Sequence, residues 1–372
     1  MFGTILITAC TLMHLYVFWR ISATPLVRRR FSRETIFLGG MGLWILFILG
    51  RTIGHDGTGT AAGMLELAGM NWLAGSFLLF VSYLSLDLVT GFGFFFPRIS
   101  PRLRNGAFAA GCLLSAIALV QGIRPPAMQS HTVHLSGLSE ALDGAVVVAL
   151  SDMHLGSQNG KTWLDARIAQ VLAEQPDLIV LLGDIFEGHG GDRQGLIPTM
   201  AKLSAPLGVW AVLGNHDHHG SGESQTFMEA AGIGVLRNRW QEIGSGLSLA
   251  GVDDLTSHRR AGRNGDPVAE ALKGRPAGPT ILLSHSPLKI ENAAAAGVNL
   301  MLSGHTHGGQ VWPFGYLVRL VYPLLEGMHQ VNGMPVIISR GTGTWGPRMR
   351  LWKRSEILRI TLYRAQDQSP LI

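Results

Sequence analysis

Apolar positions fall along this chain in two different rhythms. Four long runs come first, roughly Phe2–Trp19, Thr35–Gly50, Trp72–Phe96 and Gly106–Ile123. Each is near the ~20 apolar residues that cross a hydrocarbon core, and together they predict about four membrane spans, Thr35–Gly50 being the shortest. Arg124-Pro125-Pro126 stops the last helix, because proline restricts its predecessor and cannot continue the backbone ladder. From residue 144 the runs shorten to about five residues rich in Val, Ile and Leu, the signature of strands buried on both faces. Helical segments such as Thr162–Glu174 lie between them, so strand and helix alternate as in an α/β fold. The predicted division is a helical membrane domain at 1–125, a linker at 126–143, an α/β domain at 144–364 and a tail at 365–372.

Composition sharpens this picture. Mean hydropathy is +0.25, and only 15% of the 372 residues are charged. The pI of about 9.5 invites a nucleic-acid reading until the charge is located. Residues 1–125 hold ten arginines, no lysine and four acids, a net +6, and the remainder is near neutral at −1. The basic excess therefore belongs to the apolar half and reads as membrane topology, so no nucleic-acid partner is expected. Arg20, Arg28, Arg29, Arg30 and Arg33 come after the first run, and Arg98, Arg102 and Arg104 after the third. With four real spans, the positive-inside rule puts both loops in the cytoplasm and everything after residue 125 on the far side. Asp87, inside the third run, is read either as a functional acid or as a helix-packing one. The two cysteines, Cys10 and Cys112, both lie in apolar runs, so any metal must be held by His, Asp, Glu or Asn.

The residues at the C-terminal end of each short run carry the chemistry. "AVVVAL" leads to Ser151-Asp152-Met153-His154, "DLIVLL" to Gly183-Asp184, and "GVWAVL" to Gly214-Asn215-His216-Asp217. "TILLS" leads to His285, and "NLMLS" to Gly304-His305-Thr306-His307. In layered α/β folds strand C-termini converge on one sheet edge, where ligands bind. Five such ends rich in Asp, His, Asn and Gly predict one polar pocket there. Glycines 304, 308 and 309 permit tight or positive-φ backbone around the paired imidazoles. A carboxylate-plus-imidazole set without thiolates suits Mn, Fe or Zn and excludes a structural zinc knuckle.

The ordered series D-x-H, G-D, G-N-H-D, H, G-H-T-H over residues 144–364 resembles the calcineurin-like metallophosphoesterase superfamily. The runs "GHTHGGQVWPFGYLVRL" and "SRGTGTWGPRMRL" are similar to its membrane-anchored bacterial branch. The resemblance implies a four-layer α/β/β/α sandwich, whereas the residue pattern alone reaches only α/β with ligands at strand ends. It implies two divalent metal ions, with Asp152, His154 and His307 on the first, Asp184 bridging, and Asn215, His285 and His305 on the second. His216 would protonate the leaving group or steady the transition state, and Asp217 would orient it. Two ions about 3.5–4 Å apart can share a hydroxide that attacks phosphorus in line.

Three residues are candidate substrate contacts with open alternatives. His189 lies just after the Asp184 turn, or is simply an exposed loop histidine; Asp254 borders the pocket or caps a strand end; Arg340 clamps a phosphate or forms a surface ion pair. Trp312, Pro313, Phe314, Tyr316, Leu317, Leu320 and Tyr322 come directly after His307, and Trp345, Arg348, Met349, Arg350, Trp352, Lys353 and Arg354 mix aromatics with cations. Such composition suits a membrane interface and anionic head groups, hence a lipid-linked or envelope phosphoester; a core of aromatics with a solvated cationic face is the alternative. Two other functions remain open. One is a membrane sensor whose metal domain only binds. The other is a lipid A precursor UDP-diacylglucosamine pyrophosphatase, whose active site faces the cytoplasm and whose G-N-H-D histidine is an arginine.

Overall fold

The computed structural model describes residues 2–55, 57, 59–187, 193–217 and 223–365. The chain divides into two compact units, Met1–Arg124 with Gly346–Trp352, and Pro125–Trp345 with Lys353–Ile372.

Among the described residues, the first unit holds four helices long and apolar enough to cross a membrane: Phe2–Ser22, Arg33–Leu49 prolonged by a π-helical turn Gly50–Gly54, Thr60–Thr90 and Ser100–Ile123. The second helix thus outruns its apolar stretch and reaches 22 residues with the π turn. Glycine makes this extension possible. A Cβ on Gly50 would stand 2.7 Å from Leu65 O, one on Gly54 2.7 Å from Glu66 N, and one on Gly69 2.7 Å from Leu46 O. Small residues let neighbouring apolar helices approach backbone to backbone. The third helix stops at Thr90, short of the predicted Phe96, because Gly91 takes a left-handed C-cap at φ 56°. Asp87 is buried. Arg20 Nε lies 2.6 Å from Asp87 Oδ2, Tyr16 OH donates to the same oxygen, and the Arg20 guanidinium stacks 3.9 Å over Trp19. These contacts tie Asp87 to the first helix. Glu66 is likewise buried against His55 Nδ1 at 2.9 Å. Gly346–Trp352 packs here too, Arg350 N donating to Ala118 O at 2.9 Å and Trp352 N to Gln121 Oε1 at 2.7 Å.

Among the described residues, the second unit contains twelve strands: β1 (Ala127–Leu135), β2 (Val146–Leu150), β3 (Leu178–Leu181), β4 (Val209–Ala211), β5 (Gly234–Val235), β6 (Arg239–Gly244), β7 (Leu247–Gly251), β8 (Thr280–Leu283), β9 (Leu300–Ser303), β10 (Gly327–Val331), β11 (Met334–Ile338) and β12 (Glu356–Arg364). They form two six-stranded sheets, ordered β1-β12-β2-β3-β4-β5 and β10-β11-β9-β8-β7-β6. Strands β2 to β5 run parallel, as do β7, β8, β9 and β11, with antiparallel pairings at β12–β2, β6–β7 and β10–β11. The stretch read as a linker carries β1, which pairs in parallel with β12 along its whole length, Ala127 opposite Glu356 and Leu135 opposite Arg364.

Strand alternation separates three apolar layers. Val147, Ala149, Leu178 and Val180 face Leu249, Ile281, Leu300 and Leu302 between the sheets. Val148, Leu150, Ile179 and Leu181 face the other way, onto Leu164, Ile168 and Val171 of the helix Lys161–Leu172. Ala250, Leu282 and Met301 of the second sheet cover Leu255, Val268 and Ile290 from its short helices. The architecture is the expected four-layer α/β/β/α sandwich, and its fully buried strands explain the unbroken apolar runs. Leu178→Ala, at a position with no exposed surface between the sheets, is expected to cost about 2–5 kcal/mol and lower the thermal unfolding midpoint of the full-length protein in detergent.

Candidate metal centre

The parallel strands of both sheets deliver their C-terminal ends to one place. Asp152 and His154 come after β2, Asp184 after β3, Asn215 and His216 after β4, His285 after β8, and His305 and His307 after β9. The loops are stitched to one another, Asp152 N donating to Gly183 O and His154 N to Asp184 O, each at 3.0 Å. Asp152, His154, Asp184, His305 and His307 all adopt positive φ, between 45° and 72°. Such backbone costs an L-residue of order 1–3 kcal/mol and persists only where the surroundings over-determine it. Gly308 and Gly309 take positive φ as expected, while Gly304 serves space instead: a Cβ there would collide with Ser151 Oγ and Asp152 Oδ2. A Cβ on Gly214 would similarly run into Asp184 Oδ1.

Three groups with ligand spacing result among the described residues; His154, Glu187 and His216 form one, and the other two are more buried. Asp152, His154 and His307 offer donor atoms within 4.8 Å of one another, and so do Asp184, His285 and His305. In the first, His307 Nε2 stands 3.1 Å from His154 Nε2 and 3.3 Å from Asp152 Oδ1. In the second, His285 Nε2 stands 3.1 Å from His305 Nδ1 and 3.2 Å from Asp184 Oδ2. The same Asp184 oxygen is 4.0 Å from His154 Nε2, so it faces both groups. Ligands about 2.0–2.2 Å from one ion stand roughly 3–3.5 Å apart, and these spacings therefore fit a divalent metal. Asn215 is buried in the same turn as His216.

The outer ring nitrogens are also committed. His285 Nδ1 donates to Leu182 O at 2.8 Å, His154 Nδ1 donates to the Glu187 carboxylate, and His305 Nε2 lies 2.8 Å from Tyr322 OH. The Leu182 carbonyl and the Glu187 carboxylate fix the tautomers of their rings, and all three bonds turn the other nitrogen inward, as partners of metal-binding imidazoles do. Tyr322 OH continues to Thr256 Oγ1 at 2.8 Å, Thr256 to Ser286 Oγ at 2.7 Å, and Ser286 to Asp254. Asp254 also caps the helix Leu255–Arg260 by accepting from Ser257 N. It thus caps the end of β7, and its charge also acts on His285 and His305.

Glu187 is the functional residue that sequence reasoning missed. Its carboxylate receives His154 Nδ1 and lies 3.1 Å from His216 Nδ1. The role of orienting His216, assigned to Asp217, falls geometrically to Glu187. Asp217 instead accepts from the amides of Ile185, Phe186 and Gly214 at 2.9–3.2 Å, clamping two loops together. Burial alone would lower His216, but the Asp184 and Glu187 carboxylates outweigh it and push the imidazole up to about 9. Burial likewise opposes ionised Asp152 and Glu187, yet His307 beside the first and His154 beside the second hold both well below the usual carboxylate range. Asp217 moves the other way, raised to about 6 by burial and the Asp184 charge against the pull of its amides. Arg340 sits among carboxylates, its guanidinium on Glu356 and 3.7 Å from Glu326. His189 lies outside the described residues.

Comparison with known proteins agrees with this geometry. The profile of the family described as calcineurin-like phosphoesterase matches residues 145–309. An uncharacterized metallophosphoesterase of Aquifex aeolicus is 35% identical over 239 residues, covering 63% of this chain and 91% of that protein. The uncharacterized metallophosphoesterase YkuE of Bacillus subtilis is 34% identical over 275 residues, covering 69% and 94%. A Bos taurus transmembrane protein with metallophosphoesterase domain is 33% identical over 270 residues, covering 68% of this chain and 61% of that protein. The match to the Danio rerio protein of the same description likewise spans 61% of its length. The chain belongs to the calcineurin-like phosphoesterase family. Its apolar helices and the transmembrane relatives support association with a membrane.

Two sets of variants test the geometry. Gly214→Ala and Gly304→Ala are expected to lower metal affinity roughly 10–100-fold by displacing ligand supports, whereas Gly160→Ala, whose Cβ would meet nothing closer than 3.9 Å, leaves it unchanged. Tyr322→Phe, which removes the hydroxyl on His305 Nε2, is expected to cost about tenfold or more. Both are read by chelator competition and elemental analysis.

Proposed function

We propose that this protein is a metal-dependent phosphoester hydrolase of the membrane. The reading is carried by Asp184, whose carboxylate faces two separate imidazole groups, with His216 beside it. Asp152, His154 and His307 would hold one ion and Asn215, His285 and His305 the other, with Asp184 shared between them. Mn, Zn or Fe would suit this set of neutral imidazoles and carboxylates. When bound, such ions would lower the pKa of a coordinated water and neutralise charge on a phosphate.

The remaining chemistry belongs to the side chains. His216, positioned at Nδ1 by Glu187, would donate a proton to the leaving oxygen of an ester. A module that only binds metal has no use for a protonated imidazole so positioned, which favours turnover over sensing. Arg340 is already engaged by Glu356, which favours the ion-pair reading over a phosphate clamp. The substrate is proposed to be a lipid-linked or envelope phosphoester, from the exposed aromatic and apolar residues that follow His307. The second helix, at 22 residues with its π turn, supports four spans, a multi-pass protein and a catalytic unit on the extracytoplasmic face.

The test uses full-length protein in detergent, stripped with chelator and resupplied with Mn²⁺, Zn²⁺ or Fe²⁺, on a generic phosphodiester and a generic phosphomonoester. Metal is expected to restore hydrolysis, with Asp184→Asn abolishing it and His216→Ala reducing it by about 10²–10⁴-fold while metal is retained. Retention of two metals without cleavage of either ester, or of phospholipid in mixed micelles, would overturn the hydrolase reading.

A further inference from the structure

Between His307 and β10 the chain turns its apolar side chains outward. Leu320 is 82% exposed, Tyr316 62% and Leu317 56%, and Trp312, Phe314 and Val321 are exposed as well. The frame beneath them is ordered. Val311, Tyr322 and Leu325 are buried, Thr306 Oγ1 donates to Leu325 O at 2.6 Å, and Tyr322 is hydrogen-bonded to His305 and Thr256. A short helix, Gly315–Val318, carries the tip. The outward face is thus held away from the core by hydrogen bonds, and its apolar exposure is a built feature of the unit. Contiguous apolar surface of this kind marks a binding face.

Composition identifies what it meets. From Val311 to Leu325 the only charged residue is Arg319, which is exposed, and there is no acid. Tryptophan, phenylalanine, tyrosine and leucine around an isolated cation make up segments that lie in the bilayer interface, aromatic rings at headgroup level and the cation near phosphate. The same chain carries four helices able to cross a membrane, so a bilayer is the apolar surface it has to hand.

We infer that Val311–Leu325 is a bilayer-engaging segment, with Leu317 and Leu320 entering the acyl boundary and Arg319 meeting anionic headgroups. Gln310, just before it, exchanges two hydrogen bonds with the backbone of Trp345, and Trp345 stands 6.2 Å from the His216 ring, centre to centre. The immersed segment therefore starts at the rim of the metal centre. This deepens the proposed lipid-linked substrate: a phosphoester in a headgroup would be presented beside His216 without leaving the bilayer. It rests on the membrane setting and is independent of turnover.

The test is spin labelling of full-length Cys10→Ala/Cys112→Ala protein in nanodiscs containing anionic phospholipid, with single cysteines at Leu317, Leu320, Leu113 or Glu291. Leu113 is exposed on an apolar helix and Glu291 on the α/β unit, so they report lipid and water respectively. Relaxation by oxygen against a nickel chelate is expected to give Leu317 and Leu320 an oxygen-to-nickel ratio several-fold above that of Glu291 and close to that of Leu113. A ratio equal to that of Glu291 overturns the proposal. Labels shielded from both reagents also overturn it and point to a protein on this face. If Leu113 too reads as aqueous, the membrane setting itself fails. Hydrolysis measured on the unlabelled protein stays separate from all of these outcomes.

Discussion

Asp184 is a carboxylate with almost no access to water, and the surrounding structure is arranged to keep it ionised. Burial favours its neutral form, yet His285, His216 and His154 crowd it and hold it well below the usual carboxylate range. Its second oxygen accepts the His216 amide at 2.8 Å. Those imidazoles come from both sheets, so a single buried charge requires the two sheets to pack with their strand ends in register. The left-handed backbone at Asp152, His154, Asp184, His305 and His307 is the local strain of that convergence. It is carried by apolar layers on both faces of each sheet.

The same requirement explains the outer hydrogen bonds. An imidazole pointed at an ion must have its other nitrogen satisfied, or the ring rotates and the tautomer is undefined. Glu187, the Leu182 carbonyl and Tyr322 each serve one ring. Tyr322 lies in the segment whose opposite face is exposed and apolar, so the element that steadies His305 is also the one proposed to lie in the bilayer. Ligand geometry and membrane contact are therefore joined in one short stretch of chain.

The two units dispose apolar surface and charge differently. In the helical one, glycines 50, 54 and 69 permit contact that is too close for side chains, and buried charge includes the Arg20–Asp87 pair and Glu66 against His55. In the α/β one, apolar side chains fill both sheet faces and charge gathers at the strand ends. Neither arrangement would serve in the other's surroundings, because water drives burial of apolar surface and a hydrocarbon core does not.

By itself the residue pattern determined the α/β class, the four apolar helices and the polar strand ends, because a strand buried on both faces must be apolar throughout and its polar residues can only appear where it ends; the sandwich and the ligand assignments came from the family resemblance. The tertiary structure decided the rest. The edge strand β1 was hidden because its pattern alternates partly exposed and polar residues, and its partner β12 lies more than two hundred residues away. The second span looked short because Gly50, Arg51 and Gly54 interrupt its apolar run, whereas the helix continues through contact with its neighbour. Asp217 drew attention by adjacency to His216, but side chains adjacent in a tight turn diverge, and its carboxylate faces three amides instead. Glu187 had no local mark at all. Its place between His154 and His216 exists only once the ends of β2, β3 and β4 meet, since the partners of a side chain are set by distance in space rather than along the chain.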